Sequence, residues 1–136
     1  MIIILTQCFP PRVGGIENLI ENLSLELSKT HEVLVLADQY DKSEDYVYDS
    51  NVNDNITIKR FGGIKFFRRR KKILNLNQYL KTENITCVIG DSWKSFELCI
   101  DALNKKSIYS ICLAHGNEII PKNSAYKKRL ITTLNK

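Results

Sequence analysis

The chain has 136 residues, enough for one domain with its own core and too few for two. Hydrophobic residues make up 43% and charged residues 26% of it, an ordinary globular balance that excludes disorder as the overall state. With 20 Lys and Arg against 15 Asp and Glu, the net charge of +5 favours an anionic partner: a nucleotide, nucleic acid, a phospholipid headgroup or a phosphorylated carrier.

Ile2-Ile3-Ile4-Leu5 is a continuous apolar run, as expected of a strand buried on both faces of a parallel sheet. Thr6 and Gln7 end it, and no basic region precedes it, so it does not read as a secretory signal. No run approaches the roughly 18 apolar residues of a spanning helix. The expected location is therefore cytoplasmic. A loop with Pro10, Pro11, Gly14 and Gly15 follows. Ile16, Leu19, Ile20, Leu23 and Leu27 then recur at helical spacing and predict a helix over about 16–28. Glu17, Glu21, Asn22 and Glu26 fall on its other face. Val33 to Ala37 is a second buried strand, which completes a βαβ unit with a right-handed crossover expected. Residues 38–55 are polar and acidic and read as a long surface loop. Ile56 to Arg60 alternates like an outer strand.

After Gly62-Gly63 the run Lys65, Phe66, Phe67, Arg68, Arg69, Arg70, Lys71 and Lys72 leads into a helix with Ile73, Leu76 and Leu80 inward. Thr86 to Gly90 predicts a strand. Trp93, Phe96, Ile100 and Leu103 make one helical stripe. Ile108 to Leu113 is the next strand, followed by Ala114-His115-Gly116-Asn117-Glu118, and a basic helix is expected from about Ser124. Strands alternating with helices predict an α/β fold, a Rossmann-like doubly wound and mostly parallel sheet. The four cysteines, Cys8, Cys87, Cys99 and Cys112, form no CxxC pair and read as buried free thiols ahead of disulfides or metal ligands.

Such sheets bind ligands outside the carboxyl ends of their strands. The loop from Thr6 to Gly15 lies there. Paired glycines let backbone approach a ligand closely and adopt positive φ, and the helix start behind them presents free N–H groups suited to phosphate. The spacing is neither GxxxxGK[ST] nor GxGxxG, which excludes a P-loop and weakens a dinucleotide site. A plain chain reversal remains the alternative. His115, at a strand's carboxyl end, is a site candidate or a cap for the loop that follows. His31 reads as a surface turn residue. The basic run, with its two phenylalanines, fits an anionic membrane surface, nucleic acid or simply a solvated helix start. No carboxylate pair stands at a strand end, since Asp91 is alone after Gly90, so no metal is implied.

The stretch from Phe9 through Pro10-Pro11-Arg12-Val13-Gly14-Gly15-Ile16-Glu17, then Leu23, Leu27 and His31-Glu32-Val33, closely resembles the start of family-4 glycosyltransferases. These are retaining enzymes of the two-domain GT-B fold. The later His-Gly-x-Glu segment agrees with them. The resemblance covers nearly all of residues 1–136, but only the first part of the family's N-terminal, acceptor-side domain. It implies an incomplete N-terminal half of a GT-B fold, without its last strands and without the C-terminal donor domain that supplies cations to the leaving diphosphate. It places Gly14 and Gly15 under the diphosphate and sugar of a nucleotide-sugar donor and His115 in the catalytic cleft. Arg12 and Glu118 are further candidates, and Asn117 receives no role. The acceptor would be lipid-linked or a polysaccharide, which makes peripheral attachment to the inner face of the membrane through residues 65–72 an expectation. A nucleic-acid partner becomes unlikely, and no cofactor beyond the donor substrate is implied. The chain alone is expected to be inactive and to need a separate C-terminal-domain subunit or its equivalent. The alternative is a non-catalytic α/β binding module. An open sheet edge would favour self-association.

Overall fold

The computed structural model describes residues 1–136, with the side chain of Asn117 set aside. Five parallel strands form one sheet in the order β3-β2-β1-β4-β5, where β1 is Ile2–Leu5, β2 Val33–Asp38, β3 Ile56–Phe61, β4 Cys87–Gly90 and β5 Tyr109–Cys112. The order reverses beside β1, so the carboxyl ends of β1 and β4 flank the switch point at which such sheets open a crevice.

The inner strands β1, β2 and β4 are apolar because both their faces are covered, whereas the outer strands β3 and β5 are more exposed. Ile2 and Ile4 of β1 and Val33, Val35 and Ala37 of β2 point to one face, against Ile20 and Leu23 of helix α1 (Gly15–Ser28). Ile3, Leu5, Leu34 and Leu36 point to the other, against Leu76 and Leu80 of α3 (Lys65–Thr82) and Phe96, Cys99 and Leu103. Period-2 side chains meeting helices on both sides make the doubly wound architecture, and here every strand pair is parallel.

Three local expectations need correction. The acidic stretch 38–55 is not all loop: Lys42–Asp49 forms a helix, α2. Asp41 caps it, its carboxylate accepting from the Ser43 and Glu44 N–H groups at 2.8 and 3.1 Å. The Trp93–Leu103 stripe is two short helices, α4 (Trp93–Phe96) and α5 (Ile100–Lys105). The break falls where Glu97 turns out to accept from Arg69 at 3.0 Å and from Arg129 of the last helix, α6 (Ser124–Leu134). The Arg129 bond holds the Glu97 carboxyl below its usual range. Of the cysteines only Cys99 is fully buried; Cys8 sits in the loop after β1, and Cys8, Cys87 and Cys112 are half-buried.

The basic run also divides. Lys72 is buried, donating at 2.6 Å to Asp38 and at 2.5 Å to the Thr6 carbonyl. Arg68 pairs with the same Asp38 at 2.9 Å, and Arg69 with Glu97. Lys72 is therefore a core residue and not a membrane contact, and Arg68 and Arg69 are held by the fold. Lys65, Phe66, Phe67, Arg70 and Lys71 remain exposed. The run looked uniform because its members differ only in where the helix turns them.

Removing one member of a buried ion pair strands the other. Lys72→Met should cost about 3 kcal/mol in urea unfolding, because Asp38 keeps only Arg68 and the Thr6 carbonyl loses its donor. An unchanged midpoint would mean that the pair contributes nothing.

Candidate functional site

The loop after β1 is built on buried polar contacts. Thr6 is fully buried, and its hydroxyl donates at 2.7 Å to the Cys8 carbonyl, within 3.0 Å of the Asp91 carboxylate. Asp91 also accepts from the Gln7 N–H at 2.6 Å and from the Ser95 hydroxyl at 2.6 Å. The lone Asp91 of the sequence is thus a clamp that ties the end of β4 to the start of the loop. Farther along, Arg60 of β3 donates to the Pro10 carbonyl at 2.5 Å while bridging Asp49 of α2 at 2.6 Å. Phe9 is buried beneath this guanidinium, with 5.3 Å from ring centre to guanidinium carbon.

The glycine pair closes the loop. Gly14 is the residue before α1, with extended backbone, so positive φ is not what it supplies. Its requirement is space: a Cβ there would stand 2.2 Å from a carboxylate oxygen of Glu17. Glu17, expected on the polar outer face, is instead 4% exposed and folds back over Gly14 to pair with Arg12 at 2.9 Å. Gly15 differs. Nothing lies within 4 Å of a Cβ built on it. Gly14 has no side chain to cap the helix, so the first turn of α1 keeps N–H groups free of side-chain partners.

His115 follows β5. Its N–H donates to the Glu118 carboxylate at 3.5 Å, and its Nε2 is buried without a hydrogen-bond partner. The Glu118 backbone is pinned, its carbonyl accepting from Trp93 Nε1 at 3.1 Å and from the Tyr126 hydroxyl at 2.5 Å. Burial pushes the Glu118 carboxyl above its usual range. The glycine turn and His115 thus lie at the same edge of the sheet, after β1 and β5, with β4 between. Among the described residues no hydrogen bond or ion pair joins them. Burial raises the Cys8 and Cys112 thiols and the Glu118 carboxyl, and the charge of Asp91 adds a smaller push to all three.

Two cavities border this end of the molecule. The larger, about 690 Å3, is a mostly apolar groove between α1 and α2 on the flank of the sheet. The other, about 330 Å3, opens directly at the carboxyl ends of β1 and β2, lined in part by Gln7, Arg12, Asp38 and Arg68. Of the catalytic and donor-site candidates only Arg12 lines the second; Gly14, Gly15, His115 and Glu118 line neither cavity. Among the described residues no group of His, Cys, Asp and Glu side chains is arranged to hold a metal ion, and no helix is long and apolar enough to cross a membrane.

The structure is similar to that of Phytolacca americana UGT2 complexed with UDP-2fluoro-glucose and pterostilbene, with a TM-score of 0.56 and 11% identity over 80% of this chain and 29% of that one. Against apo UGT2 of the same plant the TM-score is 0.56, with 12% identity over 80% and 28%. The chain therefore spans under a third of those proteins, and the likeness shows the fold, the Rossmann-like α/β part of a GT-B structure. No curated protein matches the sequence. The model of Glycosyltransferase Family 4 matches residues 13–136, from the glycine turn through the His115 loop to the last helix, and the chain belongs to that family.

Proposed function

We propose that the chain is the N-terminal, acceptor-side part of a retaining glycosyltransferase that moves a sugar from a nucleotide-diphosphate sugar to a lipid-linked or polysaccharide acceptor. The rest of the donor site would come from a C-terminal domain or a separate subunit, and the proposal includes no metal or cofactor. In the reaction the acceptor oxygen bonds to the anomeric carbon, the bond from that carbon to the diphosphate breaks, and the acceptor's proton leaves with the diphosphate or with water.

The observation that carries this reading is the first turn of α1. Free N–H groups and the positive end of a helix dipole face open space at Gly15, at the carboxyl edge of a family-4 sheet. That end favours an anion. The diphosphate gains negative charge as its bond breaks, so dipoles aimed at it help the transition state more than the ground state. The unpartnered Nε2 of His115 supports a place for that residue beside the sugar. Arg12, half-exposed and held by Glu17, and Glu118, held by its loop, flank these two positions.

Membrane attachment is proposed for the outward face of α3. Phe67 and Leu74 are 58% and 69% exposed there, beside Arg70 and Lys71. Apolar rings with flanking cations suit the surface of an anionic bilayer.

The two glycines separate binding from folding. Gly15→Ala has room for its methyl and should keep stability within about 0.5 kcal/mol, while weakening UDP- or GDP-sugar binding, followed by NMR titration, about tenfold through lost N–H contacts. Equal binding by Gly15→Ala and the parent would remove the turn from the site. Gly14→Ala should instead expel Glu17 and cost about 1–2 kcal/mol, and less in a Glu17→Ala background. For the membrane face, Phe67→Glu/Lys71→Glu should lower sedimentation with phosphatidylglycerol vesicles at least tenfold, given about 1 kcal/mol per basic residue; undiminished sedimentation would discard that face.

A further inference from the structure

We infer that the apolar groove of about 690 Å3 between α1 and α2 docks a second copy of this chain, which lays the outward stripe of its α3 there. The contact uses neither the glycine turn nor His115, and it stands without the transferase reading.

Charge is the first ground. Residues 1–54 carry ten Asp and Glu against three Lys and Arg, whereas residues 55–136 carry 17 Lys and Arg against five Asp and Glu. The net charge of +5 hides this division. The groove lies in the acidic part. Glu21 of α1 and Glu44 of α2 line it, and among the described residues no cation does. Glu21 accepts from the Tyr48 hydroxyl at 2.5 Å, which fixes its carboxylate in the wall. The cations of this flank are committed elsewhere. Arg12 pairs with Glu17, Lys29 with Glu26, and Arg60 with Asp45 and Asp49. Lys42, at the start of α2, is exposed and outside the lining. An occupant that brings cations therefore meets carboxylates that no ion pair satisfies, and such complementarity selects a partner.

Shape is the second. Leu25 and Val47, 40% and 61% exposed, stand on the two helices that wall the groove. A valley between two helices receives a third by ridge-into-groove packing, and an amphipathic helix is the usual guest. This chain presents a basic one. Phe67, Arg70, Lys71 and Leu74 of α3 fall at i, i+3, i+4 and i+7, all exposed. The Phe66 ring meets Phe67 edge-on at 5.4 Å between centres, and the Arg70 guanidinium lies 4.3 Å from the Phe66 ring centre, so the patch is ordered before it binds. Phe67 and Leu74 supply apolar anchors about 10 Å apart along the helix, and Arg70 and Lys71 supply the charge that Glu21 and Glu44 lack. The two surfaces lie on opposite faces of the sheet, since α1 and Tyr48 of α2 pack with Ile2 and Ile4, and α3 with Ile3 and Leu5. One copy cannot fill its own groove. Each added copy leaves a groove free at one end and an α3 stripe at the other, so the contact is heterologous and copies add in a row or ring. A bilayer on the same stripe would exclude the neighbouring copy.

The test is sedimentation velocity of the intact chain at low salt, from about 10 to about 300 µM, the affinity range of a small interface. The parent's weight-average mass should rise past that of a dimer without a plateau. Val47→Lys and Phe67→Glu, both at exposed positions, should each stay monomeric over that range. Their equimolar mixture should form a dimer and nothing larger. The intact groove of the Phe67→Glu protein takes the intact α3 of the Val47→Lys protein, and the remaining surfaces are blocked. That dimer also shows that both variants fold. Raising salt from about 0.05 M to about 0.5 M should weaken the parent's association at least fivefold. A monomeric parent, growth that stops at a dimer, growth unaffected by Val47→Lys (the mark of pairing through the β5 edge), indifference to salt, or a mixture that stays monomeric would overturn the inference. Val47 belongs neither to the glycine turn nor to the outward face of α3, so this reading fails separately from the nucleotide-sugar and membrane readings.

Discussion

The ammonium group of Lys72 is the contact on which the carboxyl end of the sheet depends. A parallel sheet leaves the carbonyls at its strand ends without ladder partners, and the crevice there is where backbone must stay polar yet ordered. Lys72 reaches from α3 to the Thr6 carbonyl at the end of β1 and the Asp38 carboxylate at the end of β2. Asp91 completes the hold from the other side, binding Gln7 and Thr6 from the end of β4. Three neighbouring strand ends are thereby fixed around one threonine. Burial lowers the Lys72 pKa against the pull of Asp38, the electrostatic signature of a charge kept inside because its partners justify it.

From that anchor the loop gains its shape in steps. Phe9 packs under α1, Arg60 fixes the Pro10 carbonyl, and Glu17 folds over Gly14. The glycine pair thus has two unlike members. Gly14 is glycine because the protein occupies the space a side chain would take, and Gly15 is glycine where the protein leaves space empty. The first is explained by the fold. The second is not, and the proposed donor turn, which would place ligand against backbone, would give such a gap a physical reason.

Features carried within one segment were legible in the sequence. The apolar runs of β1, β2 and β4 announced buried strands, and the stripe of Ile16, Leu19, Ile20, Leu23 and Leu27 announced α1, although Leu19 is 47% exposed and outside the core. The turn at Gly14-Gly15 and the position of His115 at a strand end were visible for the same reason. What escaped were pairs between distant residues. Lys72 and Asp38 lie 34 positions apart and Asp91 and Gln7 84 apart. Neither composition nor period marks either member as buried. The acidic stretch hid α2 because its charges look like solvation until Arg60 is seen between Asp45 and Asp49. One local signal was there to read: Asp41 followed by Glu44 is a helix start.

The distribution of charge follows from the same constraint. A helix passing the strand ends must present cations inward to satisfy their carbonyls and carboxylates, and its opposite face is then free. In α3 the inward positions are Lys72, Arg69 and Arg68, and the outward ones are Phe67, Arg70, Lys71 and Leu74. A single basic run therefore serves two unrelated ends, an ordered polar floor beneath the crevice and a loose amphipathic surface facing away from it. The floor's charges answer one another: Asp38 takes Lys72 and Arg68, Lys72 also lies in the field of buried Asp91, and Arg69 meets Glu97.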